Sequence, residues 1–579
     1  MNIPAQNINI LWSYLIIEEL IRHGIDYFCL SPGSRSTPLT TAVARHPQAR
    51  KIMIYDERSA AFHALGYARA TNKPAVLIGT SGTAPANYLP AVIEAFQENL
   101  PLIVLSADRP PELRDSGANQ TVDQIGLYGR YVRYFFDLPT PSETLSARFV
   151  LGRVDRLVQK ALGPVAGPVH LNCMFREPLA PEEEALSPSY TKSLRNWYES
   201  KEPLTRIFPV TLSPNETMFP WLKKVVEQTE KGLIIVGGLE NQVPKKELML
   251  CLSRLGWPVF ADITSGLRLG YDAPVFVPHF DLLLARIKPH FDTVIQLGGR
   301  FVSKRLLQLL QAQPPAIHIH VDPGDRRIDA AQTVTHRIRV QIDRFCEQLS
   351  RIPVSSSLHS QAKLLRQKSD ATERLLKQKV DQGPVNQPGV SRLIARLLPP
   401  GHGLFLANSL AVREADMFAQ RNEKPVFVAA NRGASGIDGN ISTASGFALG
   451  LQKPVTLLIG DLAFLHDLNA LSFVPALSQP LIIVLINNGG GAIFHYLPVA
   501  KFDDMFEPYF ATAHDLQFKH AALQFGLNYQ SPATLEEFAQ VYGQAVQNLS
   551  PVLIEIKTDR RANFALYQEL LRAVPSAAE

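Results

Sequence analysis

Short apolar runs recur along the chain, and each stops at a cluster of small and polar residues. In the first third, Tyr27–Leu30 stops at Ser31-Pro32-Gly33-Ser34-Arg35, and 52–55 stops at Asp56-Glu57-Arg58. Residues 75–78 stop at Gly79-Thr80-Ser81-Gly82-Thr83, and 102–106 at Ala107-Asp108-Arg109-Pro110. Between them lie helical stretches: 8–23, with Trp12, Leu15, Ile16 and Leu20 on one face, then 59–70 and 87–97. This alternation predicts buried parallel strands joined by crossover helices. In such sheets ligands bind beyond the carboxyl ends of the strands, which is where every polar cluster falls.

The same grammar continues after a mixed Ser/Pro/Tyr/Lys stretch at 186–215, read as a linker. Strands are expected at 232–236, 259–261, 293–297 and 316–321, and Leu297-Gly298-Gly299-Arg300 leads into a helix carrying Lys304 and Arg305. This part holds no Gly-x-Gly-x-x-Gly run, so dinucleotide binding is not supported there. A second linker is read at 351–387, with the Ser355-Ser356-Ser357 run, a charged helix and Gly383-Pro384. The last part holds strands at 403–406 and 426–429 and closes with helix 535–547, strand 552–556 and helix 562–574. The expected organisation is three doubly wound α/β domains, at 1–185, 216–350 and 388–579. The first and third share an architecture without a detectable sequence repeat, as a diverged duplication would.

One stretch of the third domain carries chemistry. The apolar run 455–459 ends at Gly460-Asp461, and 481–486 ends at Asn487-Asn488 followed by three glycines. A crossover brings the two ends together at one sheet edge. A carboxylate, an amide oxygen and a free carbonyl make hard oxygen ligands, and Mg²⁺ takes such partial cages and completes its octahedron with phosphate oxygens.

Composition narrows the setting. The 579 residues suggest roughly three or four domains. At 46% hydrophobic and 19% charged they read as soluble globular material. A net charge of +5 is too dilute for a nucleic-acid or membrane surface. Cys29, Cys173, Cys251 and Cys346 lie far apart and read as reduced core thiols of a cytoplasmic protein. No apolar run approaches the roughly 20 residues of a membrane span, and no leader pattern precedes the first helix.

Among single residues, Glu57 stands at a strand end before a small-residue helix. Gly79-Thr80-Ser81-Gly82-Thr83 has Thr83 where a nucleophile elbow needs its last glycine, so a hydrolase serine is rejected in favour of close approach by a ring or phosphate. The loop Asn431 to Gly439 places apolar Ile437 among polar neighbours. Arg35, Arg109, Lys304, Arg305, Arg413 and Arg432 all lie at strand ends or in the next helical turn. Together they would form an anion-binding cleft for substrates with several carboxylates, which the planar guanidinium binds bidentately. His63, His466 and His495 are given no role beyond packing or hydrogen bonding.

Gly460-Asp461 and Asn487-Asn488, at their spacing, resemble the thiamine diphosphate motif. Ser31 to Leu39, Asp56 to Ala60, Gly79 to Ala84 and Asn431 to Gly439, in this order, are similar to the 2-succinyl-5-enolpyruvyl-6-hydroxy-3-cyclohexene-1-carboxylate synthase family of menaquinone biosynthesis. The resemblance covers essentially the whole chain and is weakest in the central domain. It implies the thiamine diphosphate enzyme fold, with pyrimidine-binding, central and pyrophosphate-binding domains. It also implies decarboxylation of 2-oxoglutarate and 1,4-addition of the resulting succinic semialdehyde–thiamine carbanion to isochorismate. Metal ligands, for Mg²⁺ or Mn²⁺, would fall on Asp461, Asn488 and the Gly490 carbonyl. Glu57 would activate the cofactor through its aminopyrimidine ring. Ser31, Gly33, Thr80, Gly82, Gly436, Ile437, Leu462, Ile493 and Phe494 would contact the cofactor, with Ile437 as the apolar prop. Ser34, Arg35, Arg109, Asn119, Gln120, Lys304 and Arg305 would hold isochorismate. Ser409, Arg413 and Arg432 would face the 2-oxoglutarate arm, with Phe494 and Leu497 in the apolar wall. Ala492 falls at a position that varies in the family. A homodimer or homotetramer would have its active sites between subunits. The alternatives are an acetolactate-synthase-like carboligase or decarboxylase, and a non-catalytic cofactor-binding homologue. The latter would lack Glu57 or the metal ligands, all of which are present.

Overall fold

The Val/Ile/Leu-rich runs have no polar face to turn to solvent, so each is covered on both sides by helices. The computed structural model describes residues 6–208, 210–354 and 359–576, and the Ser355-Ser356-Ser357 run lies outside them. The strands form three parallel sheets. The first contains β1 (Tyr27–Leu30), β2 (Arg50–Met53), β3 (Ala75–Gly79), β4 (Leu102–Asp108), β5 (Tyr134–Leu138) and β6 (Pro168–Met174), in the order β2-β1-β3-β4-β6-β5. The second contains β7 (Gly232–Val236), β8 (Val259–Ala261), β9 (Thr293–Leu297), β10 (Ile317–Val321) and β11 (His336–Ile338), in the order β11-β10-β9-β7-β8. The third contains β12 (Gly403–Leu406), β13 (Phe427–Ala429), β14 (Val455–Gly460), β15 (Leu481–Asn487), β16 (Asn528–Gln530) and β17 (Val552–Lys557), in the order β13-β12-β14-β15-β17-β16. First and third sheets therefore repeat one strand order, the shared architecture expected from the sequence.

By internal contacts the chain forms two compact units. One comprises 1–210, 432–451 and 467–473; the other comprises 211–431, 452–466 and 474–579 and holds the second and third sheets. In the first unit the helices Glu57–Thr71 and Asn440–Leu451 pack tightly on each other. Their backbones touch: a Cβ on Gly66 would overlap the Thr443 carbonyl, and one on Gly446 would overlap the His63 carbonyl. His63 bridges the crossing, with Nε2 2.7 Å from the Tyr27 hydroxyl and Nδ1 2.7 Å from Ser445 Oγ. Burial pushes its pKa down to about 3, so it is a neutral packing residue.

Several elements depart from the sequence reading. Strand β6 was missed because buried His170 and Asn172 interrupt its apolar pattern. Both are satisfied across the sheet, His170 Nε2 lying 2.6 Å and Asn172 Oδ1 2.8 Å from Ser106 Oγ. The edge strands β5, β11 and β16 are short or polar on one side and carried no signal. Strand β2 lies two residues before the expected 52–55, leaving Tyr55 exposed. The stretch read as a linker from 186 carries helices Pro188–Lys192 and Arg195–Ser200, and Tyr190, Leu194 and Trp197 enter the core of the first sheet. Anchors far away in sequence hold it: Trp12 Nε1 donates to Tyr190 Oη at 2.8 Å, and Trp197 Nε1 donates to Glu19 Oε2 at 2.6 Å. In the second stretch read as a linker, helix Ser360–Val380 sends Leu365, Leu376 and Val380 into a core with Leu233, Phe260 and Leu570. Cys251 and Cys346 prove to be neighbours: Cys251 Sγ donates to the Cys346 carbonyl at 3.4 Å.

The glycine crossing sets the first prediction. Gly446→Val will cost about 3 kcal/mol or more in urea unfolding, since neither backbone can yield. Gly543→Ala, inside helix Leu535–Asn548 with open space at its Cβ, will instead stabilise by about 0.5–1 kcal/mol.

Candidate functional site

In a doubly wound sheet the ligand crevice opens where the strand order reverses. In the first sheet that point lies between β1 and β3, whose ends carry Ser31-Pro32-Gly33 and Gly79-Thr80-Ser81. The loops touch, because a Cβ on Gly33 would overlap the Thr80 side chain. The Ser31 and Thr80 hydroxyls are buried there without a hydrogen-bond partner. An unpaired buried polar atom costs about 1–3 kcal/mol until a ligand satisfies it. Glu57 begins its helix, which Asp56 caps by accepting from the Arg58 and Ser59 amides at 2.9 and 3.3 Å. Burial raises the half-buried Glu57 carboxyl above its ordinary value, and the Asp56 charge adds to this.

Beyond the same strand ends the cations Arg35 and Arg109 lie close together. Burial, and next the charge of Arg35, lower the Arg109 pKa. Arg109 donates to Ser81 Oγ; Arg35 donates to the Phe175 carbonyl at 3.0 Å and pairs with exposed Glu177 at 3.3 Å, while its buried Nε has no partner. Two guanidinia near enough to feel each other's charge suit a multiply charged anion. Gln120 takes a left-handed backbone (φ 54°) and donates to the Ser81 carbonyl at 3.0 Å. Ser34 and Asn119 are exposed beside their respective loops. Gly82 donates its N–H to Gln124 Oε1 at 3.1 Å. The loop leading into helix Asn440–Leu451 is held by Glu94, whose carboxylate accepts from the Gly433 and Ala434 amides at 2.8 and 2.6 Å. That loop presents Gly436 and a partly exposed Ile437, with Arg432 half-buried at its start. Asp467 caps the helix, accepting from Ser442 N at 2.8 Å and Ser442 Oγ at 3.0 Å. Burial pushes its pKa up to about 7.

In the third sheet the reversal lies between β12 and β14. Asp461 follows β14, and its carboxylate accepts from the Leu462, Asn488 and Gly490 amides at 2.7, 3.0 and 3.0 Å. His514 Nε2 stands 3.5 Å from the same carboxylate. Gly490 adopts φ 137°, open to glycine alone, and a Cβ there would overlap the Ala511 carbonyl. The Gly489 carbonyl is taken by the His514 amide (3.2 Å) and Arg560 (2.9 Å), whereas that of Gly490 accepts one bond, from Ala492 N at 2.9 Å. Asn488 Oδ1 is buried with no partner. With the Gln387 amide turned to suit its partners, its oxygen accepts from Asn488 Nδ2 at 2.9 Å and its nitrogen faces Glu414 at 2.9 Å, so the Asn488 amide is oriented from behind. Burial raises Glu414 to about 8. A fixed carboxylate, an unpaired amide oxygen and a carbonyl with a spare lone pair fit a hard divalent cation.

Ser409, after β12, takes the strained backbone φ 68°, ψ −128°, and its carbonyl accepts from Arg413 at 2.6 Å. Ile493 and Phe494 lie on the turn Ala492–Tyr496, with Leu497 exposed beyond it and the Phe494 ring 5.8 Å from that of Phe510. Lys304 is exposed at the first turn of helix Lys304–Ala312, but Arg305 is engaged by Asp281 and Tyr567. The reversal point of the second sheet, between β7 and β9, is filled by the chain itself. Gly299 N donates to the Gly238 carbonyl at 2.8 Å, and Gly238 N donates to the Arg300 carbonyl at 3.0 Å.

The expected residues thus fall into two groups, each described within its own unit. Ser31, Gly33, Ser34, Arg35, Glu57, Thr80, Gly82, Arg109, Asn119, Gln120, Arg432, Gly436 and Ile437 belong to the first. Lys304, Arg305, Ser409, Arg413, Asp461, Leu462, Asn488, Gly490, Ile493, Phe494 and Leu497 belong to the second. Sequence reasoning missed Glu94, Gln124, Gln387, Glu414, Asp467 and His514. Each is a single polar residue without motif spacing, visible only once its distant partner is in place.

Residues 12–127 match the family model "Thiamine pyrophosphate enzyme, N-terminal TPP binding domain". Residues 188–406 match "Middle domain of thiamine pyrophosphate", and 412–556 match "Thiamine pyrophosphate enzyme, C-terminal TPP binding domain". A Rubrobacter xylanophilus protein named 2-succinyl-5-enolpyruvyl-6-hydroxy-3-cyclohexene-1-carboxylate synthase is 44% identical over 97% of this chain and 98% of its own length. Proteins of the same name from Chlorobium limicola and Salinibacter ruber are 42% and 40% identical; these alignments cover 98% and 100% of this chain and 97% and 98% of the relatives. A solved chain from Mycobacterium smegmatis, described as a thiamin diphosphate-dependent enzyme, superposes with a TM-score of 0.71 at 17% identity, over 94% of this chain and 99% of that one, and shares the fold.

Two predictions follow from the site geometry. Gln387→Leu will weaken Mn²⁺ affinity roughly 10- to 100-fold, read by electron paramagnetic resonance titration, because the Asn488 amide loses its orienting partner. The folded pKa of Asp467, about 7, exceeds the unfolded value of about 3.9, so its proton stabilises the fold. That contribution is whole below about pH 3.9 and is lost as pH rises through 7. Asp467→Asn keeps a capping oxygen, and its urea stability between pH 4 and 7 will fall less steeply than the wild type's, by up to about 1.4 kcal/mol per pH unit.

Proposed function

This chain belongs to the 2-succinyl-5-enolpyruvyl-6-hydroxy-3-cyclohexene-1-carboxylate synthase family of thiamine diphosphate enzymes, and from that membership we propose how its residues divide the work. The reaction is decarboxylation of 2-oxoglutarate and 1,4-addition of the remaining succinic semialdehyde unit to isochorismate, releasing CO₂, in menaquinone biosynthesis. Thiamine diphosphate, when bound, supplies the carbanion chemistry.

Asp461, Asn488 and the Gly490 carbonyl would hold Mg²⁺ or Mn²⁺ against the diphosphate. The unpaired Asn488 Oδ1 supports this assignment and carries the cofactor reading. Ser31, Gly33, Thr80, Gly82, Gly436, Ile437, Leu462, Ile493 and Phe494 would line the cofactor. Ser31 and Thr80 offer unpaired hydroxyls, and Ile437 offers an apolar face. Glu57, its carboxyl raised by burial, would hold a proton at its carboxyl oxygen and share it with the cofactor's aminopyrimidine ring. Arg35 and Arg109 would clamp the carboxylates of isochorismate, with Ser34, Asn119 and Gln120 beside them. Their close placement supports a polyanionic substrate over the small monocarboxylates of an acetolactate-synthase-like enzyme. Lys304 would add charge; Arg305 would have to exchange Asp281 and Tyr567 for substrate. Ser409, Arg413 and Arg432 would receive the 2-oxoglutarate arm, and Phe494 and Leu497 would keep water from the reacting carbon.

The active assembly would be a cytoplasmic homodimer or homotetramer with each site completed between subunits. No helix among the described residues is long and apolar enough to cross a membrane.

Purified protein with thiamine diphosphate, Mg²⁺ and 2-oxoglutarate will deplete isochorismate absorbance, and omission of any one will stop it. CO₂ release with isochorismate untouched would transfer the chain to another carboligase or decarboxylase; cofactor binding without either reaction would favour a non-catalytic homologue. Glu57→Gln will keep cofactor affinity in calorimetry and lose roughly a hundredfold or more in turnover.

A further inference from the structure

Outside the site just described, the second unit carries a groove of about 600 Å³ between helices Lys245–Leu255 and Ile342–Leu349. Its wall includes two cysteines, Cys251 and Cys346, one from each helix. Both residues are largely buried, with 6% and 7% of their surface exposed. Cys251 Sγ lies 3.4 Å from the Cys346 carbonyl, so the two residues touch across the groove wall. The other cysteines, Cys29 and Cys173, are fully buried on strands β1 and β6 of the first sheet.

We propose that Cys251 and Cys346 form a redox-active dithiol that small neutral peroxides convert to a disulfide, locking the two helices across the groove. The roles differ. Arg254 lines the groove on the same helix as Cys251, and its positive charge favours a thiolate there, so Cys251 is the attacking sulfur. Cys346, on the facing helix and in contact with Cys251, is the resolving thiol. The Cys251 thiolate attacks one oxygen of hydrogen peroxide, the O–O bond breaks, and the leaving hydroxide takes a proton to give water, so sulfur is oxidised to a sulfenic acid. The Cys346 sulfur then attacks the Cys251 sulfur, the S–O bond breaks, and a second water leaves with the Cys346 proton. Two thiols and one peroxide thus give one disulfide and two waters. Glu247, Asp343 and Glu347 rim the groove, so a neutral peroxide is favoured over an anionic disulfide oxidant.

The test uses the full chain. Protein is treated with hydrogen peroxide in native buffer, quenched with an alkylating agent, cleaved with trypsin and mapped by mass without reductant. The expected product joins the peptide 247–254 to the peptide 345–351, two hydrogens lighter than their sum and released by dithiothreitol, with Cys29 and Cys173 alkylated. Cys346→Ser will lose the link and accumulate a sulfenic acid on Cys251 that dimedone captures; Cys251→Ser will lose both signals. Alkylation of both groove cysteines after peroxide, or their oxidation to sulfonic acids with no linked peptide, would overturn the proposal. Linkage of Cys251 or Cys346 to a different cysteine would overturn it equally.

Discussion

The close crossing of helices Glu57–Thr71 and Asn440–Leu451 is the constraint on which the first unit depends. Gly66 and Gly446 let the two backbones meet, and any side chain at either would force the helices apart. Because contact is backbone to backbone, the helix starts are placed as rigidly as the crossing itself. One start carries Glu57 and the other carries the loop with Gly436 and Ile437. Asp56 and Asp467 cap these starts, and Glu94 holds the second loop by its amides. None of these three carboxylates need touch a ligand; they set the positions of groups that do.

A second theme is the placing of polar atoms before their partner arrives. Asn488 Oδ1, Ser31 Oγ and Thr80 Oγ1 are buried and unpaired. Leaving such atoms unpaired costs stability in the ligand-free fold and offsets the cost of ordering a bound group. The chain Glu414–Gln387–Asn488 shows how the orientation is held: each amide spends its nitrogen on the residue behind it, which turns the Asn488 oxygen outward.

The three sheets also divide function by topology. In the first and third, the Ser31–Gly33, Gly79–Ser81 and Asp461 loops follow strands that flank the reversal point. In the second, Gly237-Gly238 and Gly298-Gly299 pack on each other and close the crevice. Its surface groove, with the cysteine pair, lies between helices instead.

What the sequence alone determined is local. Apolar runs that end at Gly-Asp, Asn-Asn or Ser-Pro-Gly reveal strands and the edge at which they stop, because burial and turn chemistry act over a few residues. The three-sheet plan, Glu57 at a helix start and the Asp461–Asn488 juxtaposition were legible for that reason. Strand β6 was not, because its buried His170 and Asn172 find partners only across the sheet. The helices at 188–200 looked like linker because their anchors, Trp12 and Glu19, lie at the other end of the domain. Arg305 reads from the sequence as a free cation, but the fold engages it with Asp281 and Tyr567; Cys251 reads as solitary until helix Ile342–Leu349 brings Cys346 beside it. In each case the deciding partner lies far along the chain, and only tertiary packing closes that distance.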